Sequence, residues 1–242
     1  MTMDNPTTGT VAYTLHTVRS DSPHIADIAA RFREVKLSAL LAAPSSFAMR
    51  HADEVLLPLE YWQGRLALPS TMMVCVETPS SSVTFTSDKE ALLLGRWIGM
   101  VTLRGPVPYS EYHIPESGQP VPQDPDTEAR WYICNLYTAE AFRGRGIGKV
   151  LLNACVELSK QRTKALQVTN VSRVRIRLFC GAFMTALYKK MGFDEAGRVT
   201  LRDGFRANGD ATLIPKDTTS TEELLKLWET RYGVAMERII EV

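Results

Sequence analysis

Residues 142–152 hold Arg143, Gly144, Arg145, Gly146, Ile147, Gly148 and Lys149 in unbroken succession. A strand-like run, residues 131–137, precedes them, and an apolar-periodic helix follows to about residue 162. A glycine-rich turn at a helix start bares backbone N–H groups where the helix dipole is also positive, and such a turn holds phosphate. Arg143 and Arg145 would add full charges there. Gly146 and Gly148 lack the β-carbons that would keep phosphate oxygens off the backbone. Lys149 falls in the first helical turn, where a lysine opposes the dipole unless an anion compensates.

Spacing narrows the phosphate ligand. A P-loop requires Gly-Lys-Ser/Thr, but Gly148-Lys149 is followed by Val150. A dinucleotide fingerprint requires G-x-G-x-x-G, but Gly144, Gly146 and Gly148 are evenly spaced by two. Arg-x-x-Gly-x-Gly does fit, at Arg143, Gly146 and Gly148. That pattern resembles the pyrophosphate loop of the GNAT N-acetyltransferase superfamily, which binds the diphosphate of acetyl-CoA.

Other segments extend the resemblance over roughly residues 10–215. Residues 182–193 resemble the family's short helix, which carries a tyrosine and closes on Gly-Phe, here Tyr188 and Gly192-Phe193. They follow an alternating strand at residues 173–180. Leu136, Tyr137 and Thr138 occupy the place where the fourth strand pairs its backbone with the pantetheine arm. Leu37, Leu40, Leu41, Pro44 and Phe47, with Trp62 and Arg65, resemble the helical hairpin of many small-molecule members.

The resemblance implies acetyl-CoA as co-substrate, held by residues 136–138 and 143–149, with direct transfer to a primary amine in a ternary complex. It places Tyr188 as general acid to the CoA thiolate; a phenol near ~10 can protonate a thiolate whose acid has a pKa of ~8–9. The oxyanion would be held by a backbone N–H near residues 136–138. An alkylamine near ~10 is neutral in only about one molecule in a thousand at pH 7, so a base or proton wire helps. Some members carry a glutamate on the fourth strand, but Tyr132 stands in that place here. Glu54, Glu60, Glu128, Glu140 and His113 remain as alternatives, as does a water wire. Gly181 replaces an asparagine that many members use on the pantetheine arm.

The elements that must position these groups read as a single α/β domain on a mixed, largely antiparallel sheet. Strands are expected near residues 10–18, 72–77, 92–103, 131–137, 173–180, 195–202 and 211–214. Helices are expected at residues 25–41, 59–67 and 221–232, and after the loop. Residues 1–9 read as disordered, residues 10–215 as the acetyltransferase domain, and residues 216–242 as a helix–strand extension outside the core. Residues 105–129 carry six prolines, five acidic residues and no lysine or arginine. They read either as an acidic flap over the substrate or as a solvated insertion.

Composition excludes several classes. Hydrophobic residues make up 45% of the 242, enough for a substantial core. A net charge of +1 gives no reason to expect nucleic acid or a membrane surface as partner. No apolar run is long enough to span a bilayer, and the N-terminus lacks a signal-peptide build. The four cysteines show no metal-ligand spacing and read as reduced, in a cytoplasmic protein without a metal. The leading expectation is an N-acetyltransferase for a small cationic amine. A peptide or protein acetyltransferase and a non-catalytic CoA-binding module are the alternatives. Oligomeric state is not written in the sequence.

Overall fold

The computed structural model describes residues 12–78, 85–118, 124–166 and 170–242. The N-terminal residues expected to be disordered lie outside the described residues, as does most of the serine- and threonine-rich stretch before residue 85. The chain opens with β1 (Tyr13–Thr17), α1 (Ile25–Ala42), α2 (His51–Glu54), α3 (Leu59–Gly64) and β2 (Ser70–Glu77). It continues with α4 (Asp88–Leu94), β3 (Trp97–Val107), α5 (Tyr109–Tyr112), β4 (Glu128–Thr138) and α6 (Ile147–Ala165). β5 (Arg173–Cys180), α7 (Thr185–Lys189), β6 (Asp194–Thr200), α8 (Leu201–Ala207), α9 (Glu222–Leu225) and β7 (Tyr232–Glu241) complete it.

The strands form one sheet in the order β1-β2-β3-β4-β5-β7-β6. Every neighbouring pair is antiparallel except β4 and β5. That parallel pair needs a crossover, and α6 supplies it. α6 turns Ile147, Leu151, Leu152, Cys155 and Val156 into one face of the sheet, the stripe expected of a 3.6-residue period. They join Ile98, Val101, Leu103, Trp131 and Ile133 in one core. A β-carbon on Gly99 would lie 2.8 Å from Ile147 and 3.0 Å from Leu151, so glycine lets α6 approach β3 closely. On the opposite face α1 and α3 bury Phe32 and Trp62 against Met72, Val74, Val76 and Met100. Full burial of such side chains contributes about 1.5–3 kcal/mol each.

Several local expectations need correcting. The segment at residues 92–103 is helix first and strand second. The Ser87 hydroxyl accepts from the Glu90 amide at 3.3 Å and starts α4, so β3 begins only at Trp97. After β6, the Thr200 hydroxyl caps α8 by accepting from the Asp203 amide at 3.1 Å. Asp203-Gly204, a pair whose composition is that of a turn, therefore lies inside a helix. Residues 211–214 form no strand but a single 3-10 turn, Ala211–Leu213. The helix begun by Thr221 widens into a π turn at Lys226–Thr230. Most consequential is β7, which does not stand outside the core: it fills the sheet position between β5 and β6.

Among the described residues of 105–129, several are buried rather than solvated. Val107, Tyr112 and Ile114 are buried against Tyr132, Val199 and Ala207. Tyr112 covers a buried ion network beneath. Arg175 grips Glu128 with two hydrogen bonds of 2.7 and 2.8 Å and Glu237 with a third of 2.8 Å. Arg177 donates to Glu237 at 2.8 Å, and Tyr112 donates to the same carboxylate at 3.0 Å. No described residue of this segment lines the cleft discussed next.

Candidate functional site

The cleft begins where β4 and β5 part. Their parallel pairing runs from Glu128–Arg173 to Ile133–Leu178 and stops there. Both strands continue, β4 to Thr138 and β5 to Cys180, so their edges diverge and leave backbone groups unpaired. The pairing of β4 with β3 is also broken, between Met100 and Thr102. At that bulge Asn135 has φ 54°, the sole non-glycine positive φ among the described residues, in a region that asparagine tolerates better than most. The resulting cavity has a volume of about 710 Å³.

Most of the residues expected to hold phosphate line it. Gly144 and Gly146 have φ of 76° and 80°, which explains their identity at both positions. A β-carbon on either would meet no protein atom within 4 Å, so each would point into open space. The first α6 amide to find a carbonyl is that of Val150, donating to Gly146 at 3.1 Å. The amides of Ile147, Gly148 and Lys149 remain for another acceptor. Arg143 donates from Nε to the Thr138 carbonyl at 3.3 Å, which ties the loop to the end of β4. Leu136, Tyr137, Thr138, Arg143, Gly144, Gly146, Ile147, Gly148 and Lys149 all line the cleft. Arg145 does not: its guanidinium lies over the Phe142 ring, 5.6 Å from the centroid.

Tyr188 projects from α7 into the same cavity, only 8% exposed and edge-on to Phe193. No described residue hydrogen-bonds its hydroxyl. Burial, with a smaller contribution from Cys180, pushes its pKa well above the ordinary phenol value. At Gly181 the ring of Phe183 takes the space a side chain would need, 2.6 Å from where a β-carbon would be. Phe183, which also lines the cleft, thus fills the space beside Gly181.

The far end of the cleft is charged. Lys36 from α1, Glu54 from α2, Arg65 after α3 and Asp210 after α8 all face it, beside Asn135 and Asn208. Lys36 is 4% exposed, donates to Asn135 Oδ1 at 3.2 Å and lies over the Phe47 ring at 3.9 Å. Burial lowers its pKa to about 8, partly offset by the charge of Glu54. Glu54 is fully buried, and neither of its oxygens has a hydrogen-bond partner. Arg65 Nη1 comes within 3.5 Å of Glu54 Oε1, close enough for attraction but without hydrogen-bond alignment. Asp210 accepts from the Tyr61 hydroxyl at 3.0 Å.

Of the five alternative bases, Glu54 alone lines the cleft. Glu128 is held by Arg175, His113 stacks on Tyr109 at 5.2 Å, and Glu140 is exposed. Tyr132 is committed to the buried network, donating to the Tyr112 carbonyl at 3.1 Å. Sequence reasoning missed Lys36, Asn135 and Asp210. Lys36 follows Val35 on an amphipathic helix and reads as one more surface lysine; only its burial distinguishes it.

The Acetyltransferase (GNAT) family model matches residues 76–193, which carry the splayed strands, the loop and Tyr188. Residues 76–193 are a GNAT acetyltransferase domain. The acetyltransferase sheet, seven strands and mostly antiparallel, extends beyond that span in both directions. The fold resembles Arabidopsis thaliana NAA60 in complex with acetyl-CoA, at 15% identity and a TM-score of 0.50, over 96% of this chain and 99% of that one. A ribosomal-protein-alanine N-acetyltransferase from Brucella melitensis aligns at 16% identity and a TM-score of 0.45, over 94% and 99%. The IAA acetyltransferase of Bacillus cereus aligns at 16% and 0.44, over 95% and 100%. No curated protein sequence matches the chain. The acetyltransferase is thus an acyl-CoA N-acyltransferase with acetyl-CoA as the family's co-substrate and an amine as acceptor. Among the described residues no helix is long and apolar enough to cross a membrane, and no cluster of histidine, cysteine and carboxylates could hold a metal.

Proposed function

We propose that the acetyltransferase moves an acetyl group from acetyl-CoA directly to the primary amine of a small molecule. One observation carries this reading: phosphate loop, strand splay, Tyr188 and a buried charged end all line one continuous cavity. The loop amides of residues 147–149, with Arg143, suit a diphosphate. The splayed edge of β4 at residues 136–138 suits an extended amide-bearing arm, and the bulge at Asn135 frees backbone N–H groups for an oxyanion. Acetyl-CoA supplies an activated thioester there. Tyr188 donates to the departing sulfur. Its raised pKa keeps it protonated, so it stabilises the departing thiolate as a hydrogen-bond donor. Glu54 faces the acceptor and lowers the cost of placing an amine in a dry cavity.

The test is thiol release from acetyl-CoA with pooled amines: polyamines, amino acids, aminoglycosides, aryl-alkylamines and one lysine peptide. Release above background in a small-molecule pool supports the reading. Silence in every pool, with acetyl-CoA still bound by calorimetry, would overturn it. One observation keeps a peptide acceptor as the second reading. No described residue of 105–129 lines the cleft, so none of them stands in the way of a peptide acceptor. Release with the lysine peptide alone would favour that reading.

A further inference from the structure

The acetyltransferase contains two buried ion clusters, and they differ in kind. The cluster under Tyr112 is closed. Arg175 and Arg177 meet Glu128 and Glu237 at 2.7–2.8 Å. The cluster at the end of the cleft is open. Its ion contacts are 3.5 Å from Arg65 to Glu54 and 3.7 Å from Arg65 to Asp210. Among the described residues neither Glu54 oxygen nor Arg65 Nη1, all buried, has a hydrogen-bond partner, and Lys36 makes no ion pair.

Buried charges left this loose are costly unless something else completes them. A closed network stabilises a fold; an open one facing a cavity is a recognition site. Its charge count decides the ligand. Two cations, Lys36 and Arg65, face two carboxylates, Glu54 and Asp210. A polycation would leave both cations uncompensated and repelled. A simple monoamine would satisfy Glu54 and leave Lys36 unpaired. A molecule with an ammonium and a carboxylate close together satisfies both signs at once. None of the four residues lies within the family-matched span 76–193.

We infer that the acceptor is an amino acid-like zwitterion, its carboxylate held by Lys36 and Arg65 and its amine facing Glu54. This rests on the amine-acetylation reading above and narrows its small molecule to an amine that also bears a carboxylate. The amine enters as the ammonium and loses one proton to solvent before attack. Its nitrogen forms the new amide bond, the carbon–sulfur bond breaks, and its second proton balances the thiol that leaves.

Matched acceptors test it. Thiol release is measured with phenylalanine, phenylalaninamide and phenethylamine, and with the corresponding leucine series. Calorimetry follows the binding of each to the protein loaded with CoA. The expected result is kcat/KM at least tenfold higher for one of the free amino acids than for its carboxamide or decarboxylated amine. In Lys36→Met that preference collapses through KM for the amino acid, with KM for acetyl-CoA within twofold of wild type. Lys36→Arg keeps part of the preference, which guards against a merely misfolded variant. Preferential turnover of the carboxamide or the amine would sink the zwitterion and leave amine acetylation standing. Tight amino acid binding without turnover would sink the transfer reading and leave the zwitterion standing. Absence of both binding and turnover for every amino acid tested would overturn the inference.

Discussion

At the scale of single residues, the acetyltransferase keeps two ionisable groups where burial works against their charged forms. Burial holds Tyr188 protonated, so in the proposed transfer it would donate a hydrogen bond to sulfur rather than serve as a strong acid. Tyr188→Phe is therefore expected to lower kcat about 10–100-fold with little change in KM for acetyl-CoA, since a ring of the same shape still packs on Phe193. Equal kcat values for the two proteins would remove Tyr188 from the chemistry. Lys36 is the reverse case: its ordinary pKa falls to about 8 through desolvation. The titratable and charged groups around it are Glu54, Arg65, Asp210 and Cys134. Of these, burial pushes the Cys134 thiol up to about 12, outside the working range. Only protonated Lys36 attracts a carboxylate, so KM for a zwitterionic acceptor should climb as pH passes about 8 in the wild type, a climb that Lys36→Met should blunt. The same depression carries a stability sign. The folded state favours the neutral amine, so below pH 8 it bears the full desolvation cost, which fades as pH rises toward the unfolded value of about 10.5. Lys36→Met should then raise stability at pH 7 by about 1–3 kcal/mol and lose that advantage above pH ~10, measured by urea unfolding. A destabilised Lys36→Met would mean that the lysine is structural and not held at a cost for binding.

At the scale of elements, the loop–helix unit was legible because its physics is local. Arg143, Gly146 and Gly148 announce a phosphate cradle by spacing, and the apolar period that follows announces α6. Its test is equally local. Gly146→Ala places a side chain at φ 80° and costs about 1 kcal/mol of backbone strain. Its β-carbon meets no protein atom, so the fold should persist while KM for acetyl-CoA rises about tenfold. An unchanged KM would mean that the ligand does not approach this turn. β4 and β5 were legible for the same reason: alternation within one segment. What stayed hidden depends on tertiary context. Ser87 and Thr200 turned apparent strand and turn into α4 and α8 through single capping bonds. Lys36, Glu54, Arg65 and Asp210 come from four separate segments, and no spacing rule links them. Asn135 is unreadable for a further reason. Its positive φ follows from a register break between two strands rather than from its own sequence neighbours.

At the scale of the whole molecule, the acetyltransferase is closed by its last strand. β7 pairs with β5 along its full length, from Arg173–Glu241 to Cys180–Val234, and with β6 on its other edge. It also delivers Glu237, only 7% exposed, to Arg175 and Arg177. The domain boundary expected at residue 215 would thus cut away an internal strand and leave two guanidiniums facing a buried gap. A chain ending at residue 215 is expected to be insoluble or to lack a cooperative thermal transition, because both exposed strand edges would be open to pairing with other chains. Glu237→Gln isolates the charge from the strand. Backbone pairing survives, but the buried arginines lose a negative partner, and stability should fall by about 3–5 kcal/mol. This network lies apart from the cleft, so at temperatures below the transition the variant should bind acetyl-CoA as wild type does. A normal melting temperature in Glu237→Gln would show that Glu128 and Tyr112 suffice for Arg175 and Arg177. A soluble, cooperatively folding chain of residues 1–215 would show that β5 and β6 can close the sheet without β7.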